Sequence, residues 1–228
     1  MLLIGDRLER ELPVAADAVR QVYGIGSTLR QQDCGAFFPP RAFPGYGIIR
    51  DLPGLYDALH LPLGKRVLIL TDRDLFLGDQ PEDDWIFGYS QGGVAVVSAA
   101  RLRGKEGRPQ AAMTVPDQRY RDRLQAMALH EIGHEVVRNP RFTQAQWVNA
   151  RTGHRLALGL HCTDRRCVMY EIVDLRAPPP EEGWVELGGE RRADAGLDDV
   201  LERRHPGWLC GACHEAIRAG DACQEGPP

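Results

Sequence analysis

His130, Glu131, Ile132, Gly133 and His134 run consecutively along the chain. On a helix, positions four apart share a face, so His130 and His134 can grip one Zn²⁺ from the same side. Glu131 stands beside them, placed to take a proton from water at the metal. Downstream, His161 is the natural third ligand; three protein donors leave the fourth position open for water, as a catalytic zinc requires. Cys162 follows His161 directly, Cys167 comes shortly after, and Cys210 and Cys213 form a later C-x-x-C pair. Four thiolates at two short spacings suit a closed structural site. The expected chemistry is metal-assisted hydrolysis at one Zn²⁺, with a second Zn²⁺ stapling the fold.

The helix carrying His130 and His134 starts near Thr114-Val115-Pro116-Asp117, which has the form of a capping box with Pro by the first turn. It stops at Asn139-Pro140, because the residue before Pro avoids the α region. Ala126, Met127, Ala128, Leu129, Ile132, Val136 and Val137 leave it little polar face, so it is expected to be buried. Two buried histidines and a glutamate need partners, which a metal supplies. A chance match on a core helix is the bland alternative.

Upstream, Leu12 to Tyr23 has helical apolar spacing and ends at Gly24. Asp33 to Tyr46 reads as loop and Leu52 to Leu61 as a short helix. Lys65 to Thr71 is the clearest strand, its unbroken apolar run suiting a central, doubly covered place. Asp72 to Leu75 then reads as a polar turn. Trp85 to Tyr89 and Val94 to Ser98 are two more strands, joined across Ser90-Gln91-Gly92-Gly93 as an antiparallel hairpin. Arg101 to Pro109 is a charged loop. Trp147 to Leu158 fits either a hairpin turning at Thr152-Gly153 or a short helix. Ala177 to Gly183 is a Pro-rich linker by composition. Leu197 to Arg204 is a short helix, and Trp208 to Gly220 a cysteine turn leading into another. Strands alternating with helices imply a mixed sheet with helices packed on it, an α/β (α+β) class.

Length, 228 residues, suits one domain or one domain with a small appendage. A net charge of −4 gives no electrostatic footprint for nucleic acid or an acidic membrane. No apolar run reaches membrane-spanning length. Met1 to Arg7 has only a brief apolar start before charges, which is no secretory pattern and points to the cytoplasm. Thiols stay reduced there, so six cysteines suggest metal ligation rather than disulfides.

Other candidates read more plainly. His154 is the rival third ligand, but its place after Thr152-Gly153 suits an exposed turn. Cys210 to His214 matches the C-x-x-C-H haem motif, which needs export and leaves Cys162 and Cys167 unexplained. His60 and His205 read as surface residues, and Cys34 and Cys223 as unligated thiols. Asp72 and Asp74 read as strand-end capping carboxylates rather than a metal pair. Gly92-Gly93 lacks the rest of a phosphate loop.

Taken together, these residues resemble the archaemetzincins. That family's pattern is H-E-x-x-H-x-x-G-x-x-H-C, four residues, C-x-M, then a later C-x-x-C. The matches are His130, Glu131 and His134; His161 with Cys162; Cys167-Val168-Met169; and Cys210 with Cys213. Phe37 to Arg41, Thr71 to Leu75, and Phe87 to Tyr89 with Ala95 to Ser98 are similar to family segments in order and spacing. The resemblance implies a compact metzincin-like fold. Residues 1–139 would hold the mixed sheet and the histidine helix. Residues 140–228 would hold the third histidine, the Met-turn and a small zinc-stabilised subdomain. Met169 would form the hydrophobic floor beneath the histidines. The strand around Gly93, Val94 and Ala95 would be the edge to which an extended peptide substrate adds.

Two spacings depart from the pattern. His161 follows His134 by 27 positions, with Asn139-Pro140 between, where the family turns at a glycine and reaches its third histidine within one short loop. The gap from Cys167 to Cys210 is also long and holds the Pro-rich stretch. Loop closure costs only about 0.6 kcal/mol per doubling of length, so neither gap forbids the sites. The expected function is peptide hydrolysis by zinc-activated water with Glu131 as general base. Tyr170 is a possible oxyanion partner that more often serves as packing. The alternatives are an inactive zinc-binding scaffold of the same fold and a hydrolase acting on other carbonyls.

Overall fold

The computed structural model describes residues 1–34, 46–48, 64–76, 85–105, 113–192 and 194–222. The expected helix over Leu52 to Leu61, most of the Asp33 to Tyr46 loop, the Phe37 to Arg41 segment, His60 and Cys223 lie outside the described residues. The chain divides into two compact units, Met1–Glu135 and Val136–Pro228. Among the described residues, no helix is long and apolar enough to cross a membrane.

The first unit runs β1 (Leu2–Asp6), α1 (Leu12–Tyr23), β2 (Thr28–Gln31), β3 (Tyr46–Ile48), β4 (Val67–Thr71), β5 (Asp74–Phe76), β6 (Trp85–Ile86), β7 (Gly88–Gln91), β8 (Val94–Ser98) and α2 (Asp117–Val136). Its main sheet has the order β2-β1-β4-β8-β7, parallel throughout except for β7. Every residue of β1, β4 and β8 is buried. That is the signature of parallel strands covered on both faces, and β4 takes the central place its sequence suggests. Helix α1 ends at Gly24, whose φ of 69° closes the helix with an N–H bond to the Arg20 carbonyl. Gly92 and Gly93 turn β7 into β8 with φ of 62° and 87°. Two successive left-handed residues are what a two-residue hairpin of matching twist demands.

Several expectations change. Leu2 to Asp6 is a core strand. The end of β1 is knotted by buried Asp6, which accepts from Thr71 Oγ1 (2.8 Å), Arg73 Nε (3.0 Å) and the Cys34 N–H (3.0 Å). Asp74 is not a capping residue in a turn. It opens β5 and takes a two-pronged bond from Arg101, Nε and Nη2 both at 2.7 Å. Trp85 to Tyr89 is not one strand; it breaks at Phe87 between β6 and β7. The helix ends at Val136, not Asn139, and Thr114 bonds the Arg103 carbonyl (3.4 Å) ahead of its start at Asp117.

The expected substrate edge also moves. Gly93 to Val97 is not an edge, because the hairpin folds back and lays β7 outside β8. Val94 and Ala95 are wholly buried between β4 and β7. The Gly93 N–H donates to Glu135 Oε2 (3.0 Å), and its carbonyl accepts from Val67 (2.9 Å). Among the described residues, the edge on this side of the sheet is β7.

The second unit runs β9 (Thr143–Asn149), β10 (Arg155–His161), β11 (Gly183–Leu187), β12 (Glu190–Arg192), α3 (Leu197–Arg203) and α4 (Gly211–Ala222). The strands form one antiparallel sheet, β10-β9-β11-β12. Thr152-Gly153 does turn a hairpin; Asn149 Oδ1 accepts from the N–H groups of Arg151 (2.9 Å) and Thr152 (3.0 Å), and Gly153 has φ 70°. Residues 177–182 do not link separate bodies. The Pro179 carbonyl accepts from Glu182 (2.9 Å) and Gly183 (3.3 Å), a turn that feeds β11 onto β9. A Cβ at Gly183 would run into the Trp147 ring, so glycine sets how closely the two strands pair.

Candidate metal centres

Helix α2 is buried from Ala126 to Gly133, as its apolar run implies. Tyr23 hydroxyl donates to the Leu129 carbonyl (2.7 Å), tying α1 to it. Buried Arg123 donates through Nη1 to the carbonyls of Leu102 (2.8 Å) and Gly104 (2.6 Å). So held, the helix presents His130 and His134 with their Nε2 atoms 3.2 Å apart and their rings at 80°. Two bonds of about 2.0–2.1 Å to one tetrahedral Zn²⁺ would place such nitrogens about 3.3 Å apart. The pair therefore fits a shared cation.

Glu131, 5% exposed, lies against the edge strand. A Cβ at Gly88 would come 2.6 Å from Glu131 Oε1 and Cγ. Only glycine lets β7 pass this close to the carboxylate. Ser98 N–H donates to the Phe87 carbonyl (2.7 Å), and Gln91 pairs with Val94 across the turn. Hydrogen-bonded pairs alternate along an antiparallel ladder, so Gly88 and Ser90 turn their N–H and C=O groups away from β8. Among the described residues no strand covers that side.

In the second unit, His161 is the last residue of β10 and is 1% exposed. Its Nε2 lies 2.6 Å from Glu171 Oε2, with both side chains buried. Between them in sequence, Cys167 to Tyr170 forms a turn closed by the Tyr170 N–H on the Cys167 carbonyl (3.0 Å). The Met169 carbonyl accepts from Cys162 N–H (2.9 Å). Met169 is fully buried. Tyr170 hydroxyl donates to Asp194 Oδ1 (2.8 Å). Burial, followed by that bond, pushes its pKa up, so it remains a protonated donor committed to Asp194.

Cys162, Cys167, Cys210 and Cys213 are buried, with their sulfurs within 4.8 Å of one another. Cys162–Cys210 and Cys167–Cys213 are each 3.7 Å apart, far beyond a disulfide. Tetrahedral Zn–S bonds of about 2.3 Å require S···S separations near 3.7–3.8 Å, so the four thiols fit Zn²⁺. Backbone N–H groups of Asp164 and Cys210 point at Cys162 Sγ (3.4 Å) and Cys167 Sγ (3.5 Å), as thiolates need. Hydrogen bonds from Cys167 and Cys213 hold the Cys162 thiol far below its usual range, and the same contacts push Cys167 and Cys213 up.

Three residues escape sequence reasoning. Asn139 reads as a helix stop, yet its Nδ2 donates to Cys213 Sγ (3.5 Å). Glu171 carries no motif; its only hint is adjacency to Met169-Tyr170. Gly88 looks like any strand glycine. The rivals fall into place: His154 is exposed in its turn, His205 pairs with Asp164 (2.9 Å), and Cys34 is wholly buried and not one of the four grouped thiols.

No protein-family model matches the chain, and no curated protein matches it in sequence. Solved structures do. The archaemetzincin of Methanopyrus kandleri superposes with a TM-score of 0.58 at 21% identity, covering 97% of this chain and 94% of that one. The archaemetzincin of Archaeoglobus fulgidus, complexed with malonate, gives 0.55 at 20% identity, covering 95% and 99%. The chain thus has the archaemetzincin fold, a mixed α/β architecture.

Proposed function

We propose that this protein is a zinc-dependent peptidase. The observation that carries the reading is the His130–His134 pair at metal-binding spacing, with Glu131 between them lying against an edge strand. His130, His134 and His161 would hold the catalytic ion, and the four cysteines a structural one. The catalytic ion would supply Lewis acidity toward the peptide carbonyl and make its water acidic near neutral pH. Glu131 takes the proton of the attacking water and returns it to the leaving amine. Gly88 and Ser90 offer N–H and C=O groups with which an extended peptide pairs as a sixth strand. Glu171 Oε2 lies 2.6 Å from His161 Nε2, close enough to hold the ring in its place beside the metal. Four close thiols suit a reducing compartment, which we take to be the cytoplasm.

A second reading rests on the same His161–Glu171 contact. If that pair is only a buried ion pair, the protein is a scaffold holding zinc on its cysteines alone. Metal analysis separates the two. Wild type should carry two zinc ions, and His161→Ala and Cys210→Ala one each. Glu131→Gln should keep both and cleave nothing in a peptide library that wild type cleaves. An unchanged zinc count in His161→Ala would remove the catalytic site.

A further inference from the structure

The second unit holds an open cavity of about 360 Å³ lined by Thr163, Arg165, Tyr170, Arg191, Arg192 and Asp194. Its walls come from three separate stretches. Thr163 and Arg165 belong to the loop after His161, Tyr170 follows Met169, and Arg191 and Arg192 end β12. Two of these wall residues are close in sequence to the third histidine and its partner: Thr163 is two residues past His161, and Tyr170 precedes Glu171, which lies 2.6 Å from that ring.

Three guanidinium groups and one carboxylate line it, and that carboxylate is occupied. Asp194 accepts from Tyr170 hydroxyl at 2.8 Å and has Arg203 Nη2 at 3.5 Å. Arg165 reaches Asp194 only at 3.8 Å, with its side chain 71% exposed. Arg192 is paired with Glu190 at 2.7 Å. Arg191 is different. Its guanidinium lies 4.4 Å from the centroid of the Trp184 ring, and no acidic side chain among the described residues pairs with it. Stacking fixes the plane of the fork while leaving its edge donors for an acceptor. Glu186, opposite Arg191 in the ladder, is already engaged by Arg155, Gln146 and Trp184, so a small concave site with a guanidinium stacked on Trp184, a second one nearby and Thr163 on its wall suits a planar anion.

We propose that this cavity binds a carboxylate of a peptide substrate, with Arg191 and Arg165 as its principal contacts. The proposal rests on the peptidase reading for the identity of the ligand, not for the existence of the site. The carboxylate could be an acidic side chain or a chain terminus, and both present the same two oxygens.

The test is fluorescence anisotropy on zinc-loaded Glu131→Gln protein, which cannot turn over. The probes are labelled alanine pentapeptides with a central Glu or Gln, each with a free or an amidated C-terminus. Charge-assisted bonds predict that one source of carboxylate tightens binding about tenfold over its neutral counterpart. Arg191→Gln and Arg165→Gln, both at exposed positions, should erase that difference without changing affinity for the neutral, amidated peptide. Equal affinity for all four peptides, or a preference surviving both substitutions, overturns the proposal. Hydrolysis is scored separately on the active protein. Cleavage without acidic preference would sink the carboxylate site alone, while Arg191-dependent binding with no cleavage of any peptide would sink the peptidase reading alone.

Discussion

Gly88→Ala isolates the contact on which the proposed chemistry depends. The added methyl would sit 2.6 Å from Oε1 and Cγ and 2.7 Å from the carboxyl carbon of Glu131, where ordinary contact begins at 3.4 Å. Something must move by about 0.8 Å. The strand is bound to β8 along its length and is not free to retreat. The Glu131 side chain is the softer partner, so the carboxylate is displaced. A misplacement of about 1 Å at a reacting group costs about 100-fold. We expect kcat to fall about that far, with KM little changed and both zinc ions retained. Overpacking should lower stability by about 1–3 kcal/mol, toward the lower figure because a side chain and not backbone yields. The assay pairs peptide hydrolysis with metal analysis and urea unfolding. Gly26→Ala is the control, since a methyl there meets nothing within 4 Å. Full kcat in Gly88→Ala, or loss of activity only in step with unfolding, would refute the argument that β7 positions the base.

Other expectations follow from the same geometry. Cys210→Ser should lose one zinc and melt well below wild type, because a structural zinc contributes folding free energy directly; thermal scans with metal analysis check this. Asn139→Ala removes the side-chain donor to Cys213 and should weaken zinc retention at that site about tenfold or more in a chelator competition, without affecting the other site. Cys34, whose thiol burial pushes up to about 12, should carry about a thousand-fold less thiolate than an ordinary cysteine and resist iodoacetamide in the native protein; rapid native-state labelling seen by mass spectrometry would contradict this. Gly183→Ala should destabilise the protein by more than about 2 kcal/mol in urea, because the methyl collides with the Trp147 ring and comes 2.5 Å from the Val148 carbonyl.

What was legible in the sequence was local. Leu12 to Tyr23 announces itself by apolar spacing and a closing glycine, and Lys65 to Thr71 by a run with no polar break. Gly92-Gly93 and Thr152-Gly153 mark their hairpins because left-handed turns leave few residue choices. What failed depends on neighbours distant in the chain. Asp74 reads as a turn until Arg101 is found beside it, 27 residues on. Met1 to Arg7 reads as a brief apolar start because one strand has no periodicity to show until β2 and β4 flank it. Val94 to Ser98 is correctly a strand, but whether it is an edge depends on which side its hairpin partner takes. The two cysteine pairs were legible as one four-thiol site, but the route by which the chain between them returns was not, since loop length says little about the path a loop takes.

The two departures in spacing turn out to be one structural event. The stretch after His134 forms β9 and β10, and the stretch between Cys167 and Cys210 forms β11 and β12; β9 pairs with β11 from Ala145 to Asn149. Neither excursion is a loose loop, because each supplies the hydrogen-bonding partner the other lacks. This bears on His161. In the pattern this chain resembles, a glycine turn just past the helix delivers the third histidine, and a long insertion there removes that means of placing it. Here His161 closes a seven-residue strand, opposite Thr143, with the ladder re-registered at a bulge between Ala157 and Gly159, where Gly159 has φ 98°. A residue at the end of a paired strand is confined by every bond in the ladder, and the bulge re-aims the side chain that follows it. The sheet takes over the positioning that a tight turn would otherwise provide. It follows that loosening the ladder at the end of β9 away from His161, as Gly183→Ala does, should weaken zinc binding at the histidine site as well as lower stability. Unchanged zinc affinity there in a folded Gly183→Ala protein would show that His161 is placed by something other than this sheet.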